Sequence, residues 1–294
     1  EIGFHVTTPS PFALQKFLRR SADSGDEYFI LETTSHALDQ NRVWGIKYEI
    51  GVITNITHEH LDYHRTYEEY VKTKLKLLKM AKFGIKNTYQ IAKIIRDIPD
   101  LTKFNKFNYS AAYTVCKKLG LPDSQILEAM LTFKLPKGRL ELVYNKDFKV
   151  IIDFAHTPNA FENLLPEVKK MVKKNGRLIH VFGSAGKRDS TKRPLMGKTS
   201  AKYSDLIILT EEDYRTEDPE KICHEIASGI KNKPYEIIVN REQAIFKAIT
   251  MAKKNDVIIL TGKSHEKSLC RGKIEYPWSE HEAVEKALKF LISN

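Results

Sequence analysis

Short apolar runs recur along the chain at residues 27–32 (EYFILE), 49–55 (EIGVITN), 149–154 (KVIIDF), 178–183 (LIHVFG), 205–210 (DLIILT), 235–239 (YEIIV) and 256–262 (DVIILTG). They are rich in β-branched residues and lack polar alternation, so each predicts a strand buried on both faces, as in a parallel sheet. Between them, residues 66–82, 160–174, 219–231, 241–254 and 281–292 space apolar positions three and four apart against a charged face, which predicts amphipathic helices. Strand followed by helix, repeated, predicts an α/β sheet. Pro136 and Gly138 break the pattern within LPKGRLELV (135–143) before a fresh strand, placing a boundary between domains 1–136 and 137–294. The second domain has four or five strand and helix alternations and reads as complete. The first has only helical segments from residue 82 to Pro136, too little strand for a full sheet.

The composition is that of a soluble protein: 294 residues, 41% hydrophobic and 29% charged, enough to bury a large core in each of two domains. No stretch of about 18 uncharged apolar residues is available to cross a bilayer, and EIGFHVTTPSPF lacks the basic-then-apolar order of a secretory leader. The expectation is a cytoplasmic protein without membrane insertion. Because the chain opens on Glu1 in what reads as mid-domain, further protein is expected upstream. Cys116, Cys223 and Cys270 are odd in number and widely spaced, which argues against a disulfide framework or zinc–thiolate site and predicts buried free thiols. The net charge of +11 suits anionic partners. Basic residues are not interleaved with a stacking platform, so nucleic acid is a poor fit and nucleotides or phosphorylated metabolites remain.

Ligands of open α/β sheets bind beyond the carboxyl ends of the strands. Here those ends carry Glu32-Thr-Thr-Ser-His36, Asn55-Ile-Thr-His-Glu-His60, Asp153-Phe-Ala-His156, Gly183-Ser-Ala-Gly-Lys-Arg-Asp189, Glu211-Glu-Asp-Tyr-Arg215 and Gly262-Lys-Ser-His-Glu266. A phosphate loop of the form G-x-x-x-x-G-K-[ST] is absent: the endings Gly197-Lys198-Thr199 and Gly262-Lys263-Ser264 would need glycine where Lys192 and Val257 stand. GSAGKRD at Gly183 is a glycine-containing turn suited to an anion. His58, His60 and His64 crowd one loop, and a zinc site there is geometrically conceivable. Lys74 lies on a helix with Lys72, Lys76, Lys79 and Lys82, a pattern that by itself reads as a solvated basic face.

Taken together, TTP (7–9), ETTSHALDQNRV (32–43), TNITHEHLDYH (54–64), YVKTK (70–74), FNYSAA (107–112), PKGRLE (136–141), DFAHTPNA (153–160), GSAGKRDSTKRPLMG (183–197) and TGKSHE (261–266) resemble, in order over nearly the whole chain, the motifs of the Mur ligases. These are ATP-dependent amide-forming enzymes of peptidoglycan synthesis, and the closest branch is the MurE ligases, which add the third stem-peptide residue. The resemblance implies a central ATPase domain, here incomplete between Lys82 and Phe104 and lacking its upstream Walker A loop and UDP-binding domain, followed by a C-terminal Rossmann-like domain. It implies ATP and Mg2+ as cofactors, with Glu32, His60 and a carbamylated Lys74 on the metal as the catalytic set.

By the same resemblance, Thr7, Thr8, Thr34, Gln40 and Arg42 hold a UDP-muramoyl-peptide; Asn55, Asn108, Arg139, Asp153, His156, Lys192 and Arg193 face ATP; and Arg188, Asp213, Arg215, Gly262 and Glu266 hold a free amino acid, in an enzyme expected to be a monomer. Where relatives that add diaminopimelate often have Asp-Asn-Pro-Arg, this chain has Glu212-Asp213-Tyr214-Arg215, which leaves the amino acid open. The rival readings are another Mur- or folylpolyglutamate-type amide ligase, and a non-catalytic binding relative that lacks the phosphate loop.

Overall fold

A computed structural model describes residues 7–57, 61–86, 95, 98 and 102–293. The chain divides into two compact units, Glu1–Thr132 and Phe133–Asn294.

In the first unit, the helix Pro11–Asp23 starts at Ser10, whose hydroxyl accepts from the Ala13 amide, and Thr34 caps the short helix Ser35–Asp39 in the same way. Strand β1 (Tyr48–Ile53) pairs in parallel with β2 (Ala81–Lys86), and between them run the helices Leu61–His64 and Tyr67–Met80. Thr66 caps the longer helix, with Glu68 and Glu69 placed against the positive end of its dipole. That helix lies close on β1: a Cβ at Gly51 would stand 2.8 Å from the Ala81 Cβ and 3.1 Å from the Leu77 carbonyl. Leu14, Ala37, Leu38, Val43 and Leu77 form one core; Ile95, Ile98, Tyr109, Ile126 and Met130 form another around the helices Lys103–Lys118 and Asp123–Thr132.

Two expectations for this unit fail. Residues 27–32 join no ladder, and Ile30 is 96% exposed; apolar content alone does not make a strand without a neighbour to pair with. The helix expected to reach Lys82 stops at Met80, and AKFGIK continues without a loop as the unforeseen β2. The proposed shortening between Lys82 and Phe104 falls largely outside the described residues, as do His58, Glu59 and His60.

The second unit is built on a six-stranded sheet, β3 (Glu141–Asn145), β4 (Lys149–Asp153), β5 (Leu178–Phe182), β6 (Leu206–Leu209), β7 (Tyr235–Ile237) and β8 (Val257–Thr261), in the order β3-β4-β8-β5-β6-β7. All neighbours are parallel except the edge strand β3. Strands β5, β6 and β8 are buried along their whole length, as unalternated apolar runs require. The helices Pro158–Lys169, Lys192–Tyr203, Pro219–Ala227, Arg241–Thr250 and Glu280–Ser293 cover the sheet. Three of them end earlier than their lysine-rich tails suggest. In the turns that follow, Asn175, Asn232 and Asn255 take φ of 65°, 56° and 75°, the left-handed geometry that asparagine tolerates in turns.

A second, unforeseen ribbon, β9 (Ser268–Arg271) and β10 (Ile274–Pro277), turns at Gly272. A fully buried Arg241 fastens the C-terminal helix by a bidentate pair with Glu280 while donating to the carbonyls of Glu211 and Thr261. Among the three free cysteines, Cys223 and Cys270 are buried as expected, and Cys116 is half-buried.

Candidate active site

In the first unit, five expected substrate residues and Glu32 fall on neighbouring segments. Thr8 is buried; its hydroxyl donates to the Glu32 carbonyl at 2.8 Å and accepts from the Thr34 amide at 3.0 Å. Arg42 donates from Nη1 to the Thr8 carbonyl and from Nε to Gln40 Oε1, and Gln40 Nε2 donates in turn to the Tyr63 hydroxyl. Thr8, Thr34, Gln40 and Arg42 are therefore one hydrogen-bonded lattice, while Thr7 is exposed beside it. The buried His64 meets Ser35 Oγ at 2.9 Å and packs on Tyr70, whose ring lies 5.1 Å from Lys74 Nζ. Lys74 is half-buried whereas Lys72, Lys76 and Lys79 are exposed, which sets it apart from the basic face around it.

A polar cleft of about 430 Å³ opens nearby, with Asp39, Tyr63, His64, Arg65, Lys72 and Lys76 on its walls. Among the described residues no three of His, Cys, Asp and Glu gather at one metal position. The Glu32 carboxylate is exposed and makes no hydrogen bond or ion pair among them, so it offers an oxygen donor of the kind magnesium takes; Lys74 would offer another only as a carbamate. Asn55 is exposed just past β1, and Asn108 is exposed on the helix Lys103–Lys118, its amide bonded to Asn105.

The second unit collects its polar side chains at the carboxyl ends of β4, β5, β6 and β8. After β4, Asp153 accepts from the Ala155 and Leu140 amides, both at 2.7 Å, and burial pushes its carboxyl above the usual range against those two bonds. The Leu140 bond steadies the turn that presents Arg139, whose guanidinium lies 4.9 Å over the Phe154 ring. Phe154 also touches His156 and His265, and Lys192 at the start of its helix donates to the His156 carbonyl at 3.0 Å. Arg139, Asp153, His156 and Lys192 thus come together. Arg193 does not join them: it is 1% exposed, its guanidinium engaged by Glu217, Glu225 and the Ala185 carbonyl. It fastens the loop after β5, and its Nε, though without a partner among the described residues, is buried away from any ligand.

Across the same strand ends stands a second group. Lys263 is 1% exposed; its ammonium contacts Asp213 at 2.7 Å and Glu266 at 2.6 Å. Burial alone would lower its pKa, but the two carboxylates outweigh that and hold it above the ordinary lysine value. Asp213 accepts also from the Cys270 amide, while Arg215, at φ 52°, donates from Nη1 to the Gly186 and Asp213 carbonyls. Gly262 has φ 105° and lies against Glu212, whose Oε2 is buried without a hydrogen bond; a Cβ at Gly262 would come within 2.9 Å of it. Arg188 is exposed on the loop after β5. Lys263 had no place in the sequence reading except as a false phosphate-loop lysine. The signals in sequence are its place just past a strand buried along its whole length and the acid Glu266 three residues on.

Two family models match the chain: the Mur ligase middle domain over residues 3–117, and the Mur ligase glutamate ligase domain over residues 138–264. The UDP-N-acetylmuramoyl-L-alanyl-D-glutamate--2,6-diaminopimelate ligase of Caldanaerobacter subterraneus subsp. tengcongensis is 38% identical, over 96% of this chain and 68% of the relative. Ligase 1 of that name from Clostridium acetobutylicum is 34% identical over 340 residues, spanning 99% of this chain and 70% of the relative. That alignment is longer than the chain, so the relative has residues within the matched stretch that this chain lacks.

A solved UDP-N-acetylmuramoyl-L-alanyl-D-glutamate--2,6-diaminopimelate ligase covers 97% of this chain and 69% of its own at TM-score 0.54 and 25% identity. The UDP-N-acetylmuramate-alanine ligase of Thermotoga maritima covers 89% of this chain and 62% of its own at TM-score 0.57; at 15% identity it shares the fold. With both family domains in order along the chain and relatives this similar over nearly all of it, the chain belongs to the Mur ligase family.

Proposed function

We propose that the chain forms part of a MurE-type ligase that uses ATP and magnesium to add a diamino acid to UDP-N-acetylmuramoyl-L-alanyl-D-glutamate. In this reading residues 1–136 are the central ATP-binding part and residues 137–294 the amino-acid-binding domain of a monomeric, cytoplasmic enzyme. The observation that carries it is the pairing at one set of strand ends of Arg139, His156 and Lys192 with Arg215, Asp213, Lys263 and Glu266.

The reaction has two transfers. An oxygen of the substrate carboxylate attacks the γ-phosphorus of ATP and the bond to the β-bridging oxygen breaks, releasing ADP. The amine of the incoming amino acid then adds to the acyl carbon, phosphate leaves, and the amine proton passes to solvent. Magnesium would be held by Glu32, His60 and a carbamate on Lys74, and would supply positive charge against the phosphate oxygens. Arg139 and Lys192 would offer cationic side chains to phosphate oxygens, with Asp153 and His156 holding their loops. Thr34, Gln40 and Arg42 bind and orient the muramoyl peptide, and Thr8, wholly buried, holds Thr34 and Arg42 in place behind them.

On the amino-acid side, Arg215 keeps Nε and Nη2 for a carboxylate, a geometry guanidinium suits, and exposed Arg188 adds a second cation. Asp213 replaces the asparagine of many relatives, and it shares the single ammonium of Lys263 with Glu266, so the three side chains together keep one negative charge. Selection among diamino acids rests on Glu266 and on the backbone at Gly262. Mass analysis of products formed by the full-length protein from the muramoyl dipeptide, ATP and a panel of 2,6-diaminopimelate, L-lysine and L-ornithine tests the proposal. One diamino acid should be joined in preference, and no amide product with any of them would refute it.

A further inference from the structure

The turn that carries Arg139 and the loop that carries Gly262 and Glu266 are joined by one side chain. Ser264 is 1% exposed, and its hydroxyl donates to the Gly138 carbonyl at 2.7 Å. Its backbone takes φ 50°, in the left-handed region where glycine is at ease and a residue with a Cβ is strained. A glycine would satisfy the backbone at that position better; what serine adds is the hydroxyl, and the hydroxyl is spent on Gly138. The approach is close, since a Cβ at Gly138, itself at φ 73°, would fall 1.8 Å from Ser264 Oγ.

The remaining fastenings of the turn come from the sheet. Glu141 on β3 accepts from the Gly138 amide at 2.6 Å with His281 behind it, and Asp153 on β4 accepts from the Leu140 amide. Ser264 comes instead from the loop after β8, next to Lys263, which grips Asp213 and Glu266. A continuous line of contacts therefore runs from the amino-acid pocket through Lys263 and Ser264 to Gly138, one residue before Arg139.

We propose that Ser264 is a positioning residue that couples occupation of the amino-acid pocket to the placement of Arg139, and so to the handling of ATP. The inference rests on the ligase reading of the same site. A substrate seated against Glu266 steadies Lys263 and the residue after it; Ser264 passes that order to the Gly138 carbonyl. An arginine held on a stiff turn then loses less freedom when it takes a phosphate. Glycine or alanine at position 264 removes the link, and glycine also relieves the backbone.

The test measures the ATP KM of the full-length protein, Ser264→Gly and Ser264→Ala, using the diamino acid ligated best in the panel above, at saturation and at one tenth of its KM. Thermal unfolding of all three reports on folding. Both variants are expected to unfold within a few degrees of the parent. At saturating amino acid their ATP KM should rise about fivefold, the worth of one ordinary hydrogen bond. The parent's ATP KM should fall as the amino acid saturates, and theirs should not respond. Parental ATP KM with parental response in both variants overturns the coupling, as does an effect in Ser264→Ala that Ser264→Gly lacks, which would trace it to backbone strain. A parent that forms no amide overturns the ligase reading and this inference with it.

Discussion

Replacing Lys263 by Met tests whether the amino-acid pocket is organised around a buried cation. Methionine keeps the aliphatic length and removes the ammonium that now meets Asp213 at 2.7 Å and Glu266 at 2.6 Å. Truncating one member of a fully buried ion pair costs about 3–5 kcal/mol. Here the Asp213 and Glu266 side chains are 17% and 37% exposed and can take up water, which lowers the expectation to about 2–3 kcal/mol. For a unit of this size that corresponds to a fall in Tm of roughly 4–12 °C. Calorimetry of the second unit's transition measures it. The KM for the amino acid should rise in parallel, because Asp213 and Glu266, left unpaired, repel each other and disorder the loop. Asp213→Asn keeps both acceptor bonds and should cost less. The double variant should then cost about 1 kcal/mol less than the sum of the singles, as expected of groups in direct contact. A Tm within about a degree of the parent, with an unchanged amino-acid KM, would show that the buried ammonium does not organise the pocket.

His180, wholly buried between Ser200 and Thr261, is held neutral: burial first, and then the charge of Arg241, lower its pKa from 6.5 to about 3. The unfolded chain takes up that proton below about pH 6.5 and the folded one does not, so the contribution is whole above that pH. It is lost at about 1.4 kcal/mol per pH unit as pH falls towards 3. Urea unfolding at pH 7 and pH 5.5 should show this slope in the parent and lose it in His180→Gln; parallel profiles would count against it. If Lys74 carries a carbamate, carbon-13 bicarbonate should label the full-length protein with a carbamate signal in NMR that is absent from Lys74→Arg. Ligation by that variant should fall about a hundredfold or more, since a lost metal ligand forfeits several kcal/mol of charge stabilisation. Equal labelling of both proteins would place the modification elsewhere.

The second unit was the more legible in sequence, and its burial explains why. Strands such as LIHVF, LIIL and VIILT are apolar on both faces because helices cover both. Residues 27–32 have the same look, yet a strand also needs a partner, which a linear pattern does not reveal. The β9-β10 ribbon carries no strand signal in sequence because CRGKIE is charged and partly exposed, and β2 carries none because no turn separates it from the helix before it. For the site, the strand-end rule located the segments, and family motifs supplied the residues. Neither could tell which cations are consumed internally. Arg193 and Lys263 both sit in basic or glycine-containing motifs, and each is 1% exposed and bound to two carboxylates. Ser264 shows its role only through its φ and its distance to Gly138, both set by tertiary packing.

Acyl-phosphate ligation of a muramoyl dipeptide is tested by the release of ADP and phosphate by the full-length protein as each component is withheld in turn. Sustained release, matched one for one by amide product, is expected only when ATP, magnesium, UDP-N-acetylmuramoyl-L-alanyl-D-glutamate and the diamino acid are all present. Phosphate release that is indifferent to the muramoyl substrate would contradict it.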